Sequence, residues 1–370
     1  MKIINRVFSK VVYYVMLFTI ALIFNQCKEP ASLNALIVSD SDEETTSGLQ
    51  TILENTGLFD ANITKSSSPD FADYDVVVLY LSKSDWSEKT KSDFISYVQT
   101  GGGVVFLGAS APAFGDWAAL NEVAGTPVTE KLKKSKSVFE YQVVNSKKNH
   151  PIIEGLQPIW MHSDDFMLFN TEKLNGEIEV LATSWADTLQ GGSGAHLPVL
   201  LTVSFGEGRV FHSTLGVAAT SENLAPIQCV GFITTLQRGA EWAATGVVSQ
   251  EVSIDFPNIA STHEWVDYKP MTLDEILERA STYEIGKSKK YLTDFSMRIR
   301  NCDGMAETYT TYEDRILEFL ASDATVDSKK YMCRELSWMG STKSISVLEK
   351  LVNDKDLSES ASYALQRLRM

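Results

Sequence analysis

From Ser32 to about Val248, short apolar runs rich in β-branched residues alternate with amphipathic stretches. LNALIVS at 33–39 reads as a buried strand. Residues 43–57, EETTSGLQTILENTG, put Leu49, Ile52 and Leu53 on one helical face and stop at Gly57. A polar strand near 61–65 follows, then YDVVVLYL at 74–81. So continuous an apolar run suits a parallel strand covered on both faces. SEKTKSDFISYVQT reads as a helix opened by Ser87 as its cap and closed by Gly101-Gly102-Gly103. VVFLGAS at 104–110 is the next strand, ending in a tight turn. Strands alternating with helices over short connections predict a doubly wound α/β sheet.

The next stretch is richer in strands: VFEYQVV at 138–144, EIEVLATSW at 177–185 and LPVLLTVSF at 197–205. Gly206-Glu207-Gly208 separates the last of these from RVFHSTLG, a hairpin signal. A long helix over roughly 225–244 carries Phe232, Leu236 and Trp242 on its apolar side. Between 249 and 271 the periodicity fails and Pro257 and Pro270 appear, which predicts a linker. The α/β domain is therefore expected over 31–248 and an all-α module over 272–370. In that module Met332, Leu336 and Met339 recur 29 residues later as Ala361, Leu365 and Leu368. The recurrence resembles HEAT-like repeats, helix pairs that bury their apolar faces by stacking on neighbours.

The first 27 residues read as an address. Lys2, Arg6 and Lys10 precede the uncharged run Val11–Phe24, and Cys27 follows. That run is short for a membrane span, which needs about 20 residues, and fits a secretory signal. A cysteine at its end resembles a bacterial lipoprotein signal, with Cys27 as the lipidated residue. The expected location is the cell envelope, lipid-anchored and facing the periplasm or the cell surface. Removing 1–27 takes three positive charges and no negative ones, deepening the net charge from −15 to −18. Such an acidic chain is a poor ligand for nucleic acid, whose phosphates need a basic surface. Cys229, Cys302 and Cys333 have neither disulfide nor zinc spacing and read as buried thiols.

GGGVVFLGA at 101–109, HPIIEGL at 150–156, DDF at 164–166, FGEGRVFHSTLG at 205–216 and RGAEWAA at 238–244 occur in that order. Together they resemble the trehalose-utilisation (ThuA-like) family, whose fold is like that of flavodoxin and the class I glutamine amidotransferases. The resemblance implies a role in carbohydrate utilisation, acting on or binding a sugar derivative. Members usually carry a His after the first strand, where this chain has VSDSDEE. They also usually carry one where Gly108 stands and one after the glycine matching Gly216, where Val217 stands.

The chemistry left to such a site is limited. A glutamine amidotransferase needs a cysteine at the elbow near 107–111, and there is none. Ser110 is there, without a GxSxG setting. The five histidines show no paired metal spacing, so neither metal nor cofactor is expected. His150, Asp164, Asp165, Ser110, Arg209 and His212 are the ligand-binding candidates, expected at the C-terminal ends of the parallel strands. The competing reading makes His150-Pro151 a turn and Asp164-Asp165 a cap. Trp86, Trp117, Trp160 and Trp185 are candidates for stacking on sugar rings, whereas Trp242 and Trp338 read as core. The alternative function is a non-catalytic scaffold whose helical repeats bind a protein partner.

Lipid anchoring is directly testable. Cys27→Ala is expected to move the protein to the soluble fraction or to block its processing, read by cell fractionation and immunoblot. Unchanged membrane association with normal processing would remove the anchor from consideration.

Overall fold

The computed structural model describes residues 32–108, 110–115, 117–125, 138–146, 149–165, 177–190, 192–253, 255–301 and 306–369. The expected signal segment with Cys27 lies outside these residues, as do Ala109, Phe166 and Cys302.

The first half folds as expected from its pattern. β1 (Leu33–Ser39), α1 (Glu43–Glu54), β2 (Phe59–Thr64), β3 (Val76–Tyr80), α2 (Glu88–Gln99) and β4 (Gly103–Leu107) follow in order. Asp42 caps α1 by accepting from Thr45 N, and Ser87 caps α2 by accepting from Thr90 N. A short α3 (Ala118–Ala124) precedes the second half. That half comprises β5 (Phe139–Asn145), β6 (Ile159–Asp164), β7 (Glu177–Trp185), β8 (His196–Phe205), β9 (Gly208–Ser213), α4 (Ala225–Gln228) and α5 (Val230–Thr245).

All nine strands join one sheet in the order β2-β1-β3-β4-β9-β8-β7-β5-β6. β2, β1, β3, β4 and β9 are parallel, and every pairing beyond β9 is antiparallel. The doubly wound reading thus holds for the parallel half, and an antiparallel extension completes the sheet. Alternate residues enter two cores. Ala35, Ile37, Val76 and Val78 pack with α1 and α5, while Leu36, Val38, Val77 and Leu79 pack with α2 and α3. Helices on both faces are why these strands are apolar throughout.

The sequence reading has no strand at β6, and the reason is chemical. Its burial alternates with period two, but the inward residues are Trp160, His162 and Asp164. A hydrophobic pattern cannot register a strand whose inner face carries an imidazole and a carboxylate. The single long helix expected over 225–244 is also two. At Cys229 the backbone is extended (φ −60°, ψ 124°), and this residue becomes the N-cap of α5.

The segment 249–271 corrects the linker expectation, because it is packed onto the α/β domain. Phe256, Trp265 and Tyr268 are buried in the core shared with α1 and α5. Phe256 meets Trp160 edge to face at 5.3 Å. Met161 N donates to Asn258 O at 3.0 Å, Val230 N to His263 O at 2.8 Å and Trp265 N to Gln228 O at 2.8 Å. Tyr268 adopts φ +56°, and a Cβ on Gly48 would lie 2.5 Å from its hydroxyl. Three aromatics spaced without periodicity carry no element signal, yet they seal one face of the domain.

The C-terminal region is helical: α6 (Leu273–Ala280), α7 (Lys290–Asn301), α8 (Ala306–Ala321), α9 (Val326–Met339), α10 (Thr342–Leu351) and α11 (Ser358–Leu368). A capping box at Thr272 and Glu275 opens α6. The recurring residues Met332, Leu336, Ala361 and Leu365 of α9 and α11 lie in one core with Phe295, Ile299 and Ile316.

Because 249–271 completes the α/β core, a fragment 32–248 is expected to melt well below a fragment 32–271. Phe256→Ala in the full chain is expected to destabilise by about 3 kcal/mol, measured by denaturant unfolding. Equal melting of the two fragments would mean that the segment contributes no core.

Candidate functional site

The site expected at the C-terminal ends of the parallel strands is built around Asp164, at the end of β6 and fully buried. One carboxylate oxygen accepts from Gly216 N at 2.6 Å and Val217 N at 3.1 Å. The other accepts from Ala218 N at 2.9 Å and Asp165 N at 2.8 Å. Gly216 can turn its N–H inward because φ is +81°, a conformation suited to glycine. Four backbone donors compensate a charge that could not otherwise remain buried. Asp164 therefore holds the loop after β9 and has no oxygen left for a ligand.

Beside it lies His162, whose partner Cys229 sequence spacing could not reveal. His162 Nε2 is 3.4 Å from Asp164 Oδ2, and the ring meets Tyr141 edge to face at 5.6 Å. Burial alone would lower its pKa, but the neighbouring Cys229 and Asp164 outweigh burial and hold it up, at about 9. Cys229, His162 and Asp164 thus form a buried thiol–imidazole–carboxylate series, with the thiol at the N-cap of α5. All three are buried, so the series is closed to any substrate in this state.

The elbow after β4 is equally occupied. Ser110 is fully buried, accepts from Leu81 N at 2.9 Å and shares its proton between Leu79 O and Leu107 O at 2.8 and 2.5 Å. It pins the ends of β3 and β4 and is no exposed nucleophile. Gly108 has φ +55°, and a Cβ placed there would lie 3.4 Å from Val217. The two positions where ThuA-like proteins usually carry histidines are thus neighbours in space, and here both are apolar. Tyr80 donates to Gly216 O at 2.7 Å, and Asp40 accepts from Ser82 N, Ser82 Oγ and Lys83 N.

The remaining candidates are elsewhere. His150 follows β5 at the end of the sheet opposite Asp164, since β5 pairs Phe139 with Asp164 and Val144 with Ile159. Five residues of strand separate those pairs by about 17 Å. His150 and Asp164 therefore cannot hold one small ligand, which corrects the expected convergence. Nδ1 of His150 accepts from Ile152 N at 3.2 Å, and the ring packs on Trp242 at 5.1 Å. Arg238 holds the same turn by donating to the carbonyls of Pro151, Ile152 and Glu154. HPIIEGL and RGAEWAA are thus two halves of one structural joint. Arg209 donates to the carbonyls of Trp242, Ala243 and Ala244, closing the C-terminal end of α5. His212 is buried with Nδ1 3.3 Å from Ala124 O, and burial lowers its pKa to about 4. Asp165 is buried beside the clamp.

The tryptophans also redistribute. Trp86 and Trp160 are core, Trp185 is half exposed beside His196, and Trp338, expected in the core, is 41% exposed. Among the described residues no group of three His, Cys, Asp or Glu could hold a metal ion.

Two outcomes follow from these contacts. Asp164→Asn would set an amide against inward-pointing N–H groups, so stability is expected to fall by about 3 kcal/mol or more in denaturant unfolding. The histidines should shape the pH dependence in opposite senses. With a folded pKa raised from 6.5 to about 9, His162 contributes stability fully below pH 6.5 and loses it as pH rises through about 9. With a folded pKa lowered from 6.5 to about 4, His212 removes stability as pH falls from 6.5 toward 4. Melting temperature is therefore expected to peak near pH 6.5, and His162→Gln to flatten the alkaline limb. A profile rising steadily with pH would contradict the His162 assignment, and one falling steadily the His212 assignment.

The model of the trehalose utilisation family, ThuA, matches residues 33–243. A ThuA-like protein from Parabacteroides merdae with a known crystal structure is 32% identical at a TM-score of 0.58, covering 65% of this chain and 100% of its own. A ThuA-like protein from Bacteroides uniformis is 15% identical at a TM-score of 0.46, covering 60% of this chain and 96% of its own. A cytoplasmic protein from Salmonella typhimurium is 15% identical at a TM-score of 0.43, covering 59% of this chain and 100% of its own. Among curated proteins none matches. With a match over more than half of its length, and an α/β domain followed by a helical region, the chain belongs to the ThuA family, which gives it a carbohydrate-related role at family level.

Proposed function

We propose that the protein is a lipid-anchored envelope protein of carbohydrate utilisation that binds a sugar derivative without transforming it. The observation that carries this reading is the occupancy of the strand ends. Asp164 is satisfied by four backbone N–H groups, and Gly108 and Val217 make an apolar contact where relatives usually place histidines. General acid–base work needs a side chain free to reach the substrate with a proton to give or take. Ser110, Asp164 and His162 are held inside, each committed to the fold. The family supports a sugar as ligand, and the chain's acidic character disfavours nucleic acid.

The test combines binding and turnover on one sample. The full chain is titrated calorimetrically with glucose, trehalose and gluconate, and each sugar is then followed by NMR with the protein over about a day. Saturable binding of one of them with an unchanged sugar spectrum is the expected result. Conversion of any sugar, abolished in a denatured control, would replace binding with catalysis.

A further inference from the structure

The packed segment 255–265 and the helix α7 enclose a cleft of about 350 Å3 at the junction of the α/β domain and the helical region. Asp255, His263, Glu264, Lys290, Asp294 and Arg298 line it. We propose that this cleft, and not the crevice at the strand ends, is the protein's ligand site, and that it takes an uncharged sugar through its hydroxyl groups. The inference rests on the sugar-binding reading above and adds where the sugar sits and which charge it carries.

The charges around the cleft are already paired, with one exception. Arg298 Nη2 lies 2.9 Å from Asp255 Oδ2 and donates to Met271 O at 2.8 Å. Trp265 Nε1 donates to the same Asp255 oxygen at 3.2 Å. Lys290 is 4.0 Å from Glu264. His263 Nε2 faces Ser261 Oγ at 3.3 Å. Asp294 alone has no hydrogen bond and no ion pair among the described residues. Its carboxyl sits partly buried, its pKa raised chiefly by that burial. A second gap lies beside it, because Arg298 Nε is buried without a hydrogen-bond partner.

An acceptor without a donor on one wall fits a ligand that brings hydroxyl protons. A carboxylate accepting from hydroxyls makes short, charge-assisted bonds. The odd carboxylate excludes an acid: with Asp255 and Glu264 already matched, Asp294 leaves the site net negative and would repel a sugar carboxylate. A metal does not fit either, since only this one carboxylate is uncommitted. The cleft volume accommodates one sugar ring, or two with part of the second in solvent, and small-ligand sites begin at about this size. Thr262 anchors one wall by donating to Glu140 Oε1 on β5 at 2.8 Å, so the site is braced against the sheet.

The test uses the full chain and calorimetric titration with glucose, trehalose and gluconate, for the unmodified protein, Asp294→Ala and Ser82→Ala. Asp294 makes no bond that the fold needs, so Asp294→Ala is expected to keep or raise the melting temperature. It is also expected to weaken binding of glucose or trehalose at least tenfold, whereas Ser82→Ala at the strand ends binds as the unmodified protein does. Gluconate is expected to bind at least tenfold more weakly than glucose, and the ratio of glucose to trehalose affinity reports one ring or two. Sugar binding that survives Asp294→Ala and is lost in Ser82→Ala overturns the cleft while leaving the sugar-binding function standing. Tighter binding of gluconate than of glucose overturns the uncharged-ligand assignment. Failure of all three sugars to bind overturns the function together with the site.

Discussion

A buried carboxylate must be compensated or it cannot stay buried, and in this protein Asp164 sets the arrangement around it. It stands at the end of the outermost antiparallel strand and gathers N–H groups from the loop that leaves β9 in the parallel half. That one side chain ties the two halves of the sheet together across their tops. Its neighbour His162 extends the tie to Cys229, where the helix breaks between α4 and α5. The break, the strand and the loop are therefore one assembly. Moving any of them strands a charge in a medium that cannot solvate it.

This assembly decides what the strand ends can do. Open α/β sheets usually hold ligands where the crossover loops diverge. Here the loops are drawn inward and their polar groups are spent on one another, with Val217 lying over Gly108 as an apolar lid. The Asp294 carboxyl and Arg298 Nε, on α7, lie at the seam with the helical region. Polar side chains in a stable domain are normally satisfied, so the Asp294 carboxyl, with no hydrogen bond among the described residues, beside the buried, unpartnered Arg298 Nε makes the seam a place where a ligand's polar groups could be met.

Much of the fold was legible because it follows from periodicity. β3 and β4 are apolar throughout since helices cover both faces, and Ser87 stands at its helix start as its chemistry requires. β6 was illegible for the opposite reason, its inward positions being polar. The residues 249–271 were read as a linker because their contacts come from Phe256, Trp265 and Tyr268 at irregular spacing, which only a folded surface can select. Where the candidate residues lie relative to one another was not legible. Asp164 and His150 occur 14 positions apart, yet β6 runs between them and carries Asp164 to the opposite end of the sheet. His162 with Cys229 had no signal, because 67 residues separate partners that meet only through the broken helix.

The hydrogen bond from Met161 to Asn258 has a consequence for how the chain behaves in company. β6 is the last strand of the sheet, and an open edge offers unpaired N–H and C=O groups to any other chain that can lie alongside. The segment after α5 runs along that edge, takes one of its donors and covers Trp160 with Phe256. It works as a guard against edge-to-edge association. Wherever copies of the chain meet, such a guard keeps neighbouring sheets from joining edge to edge.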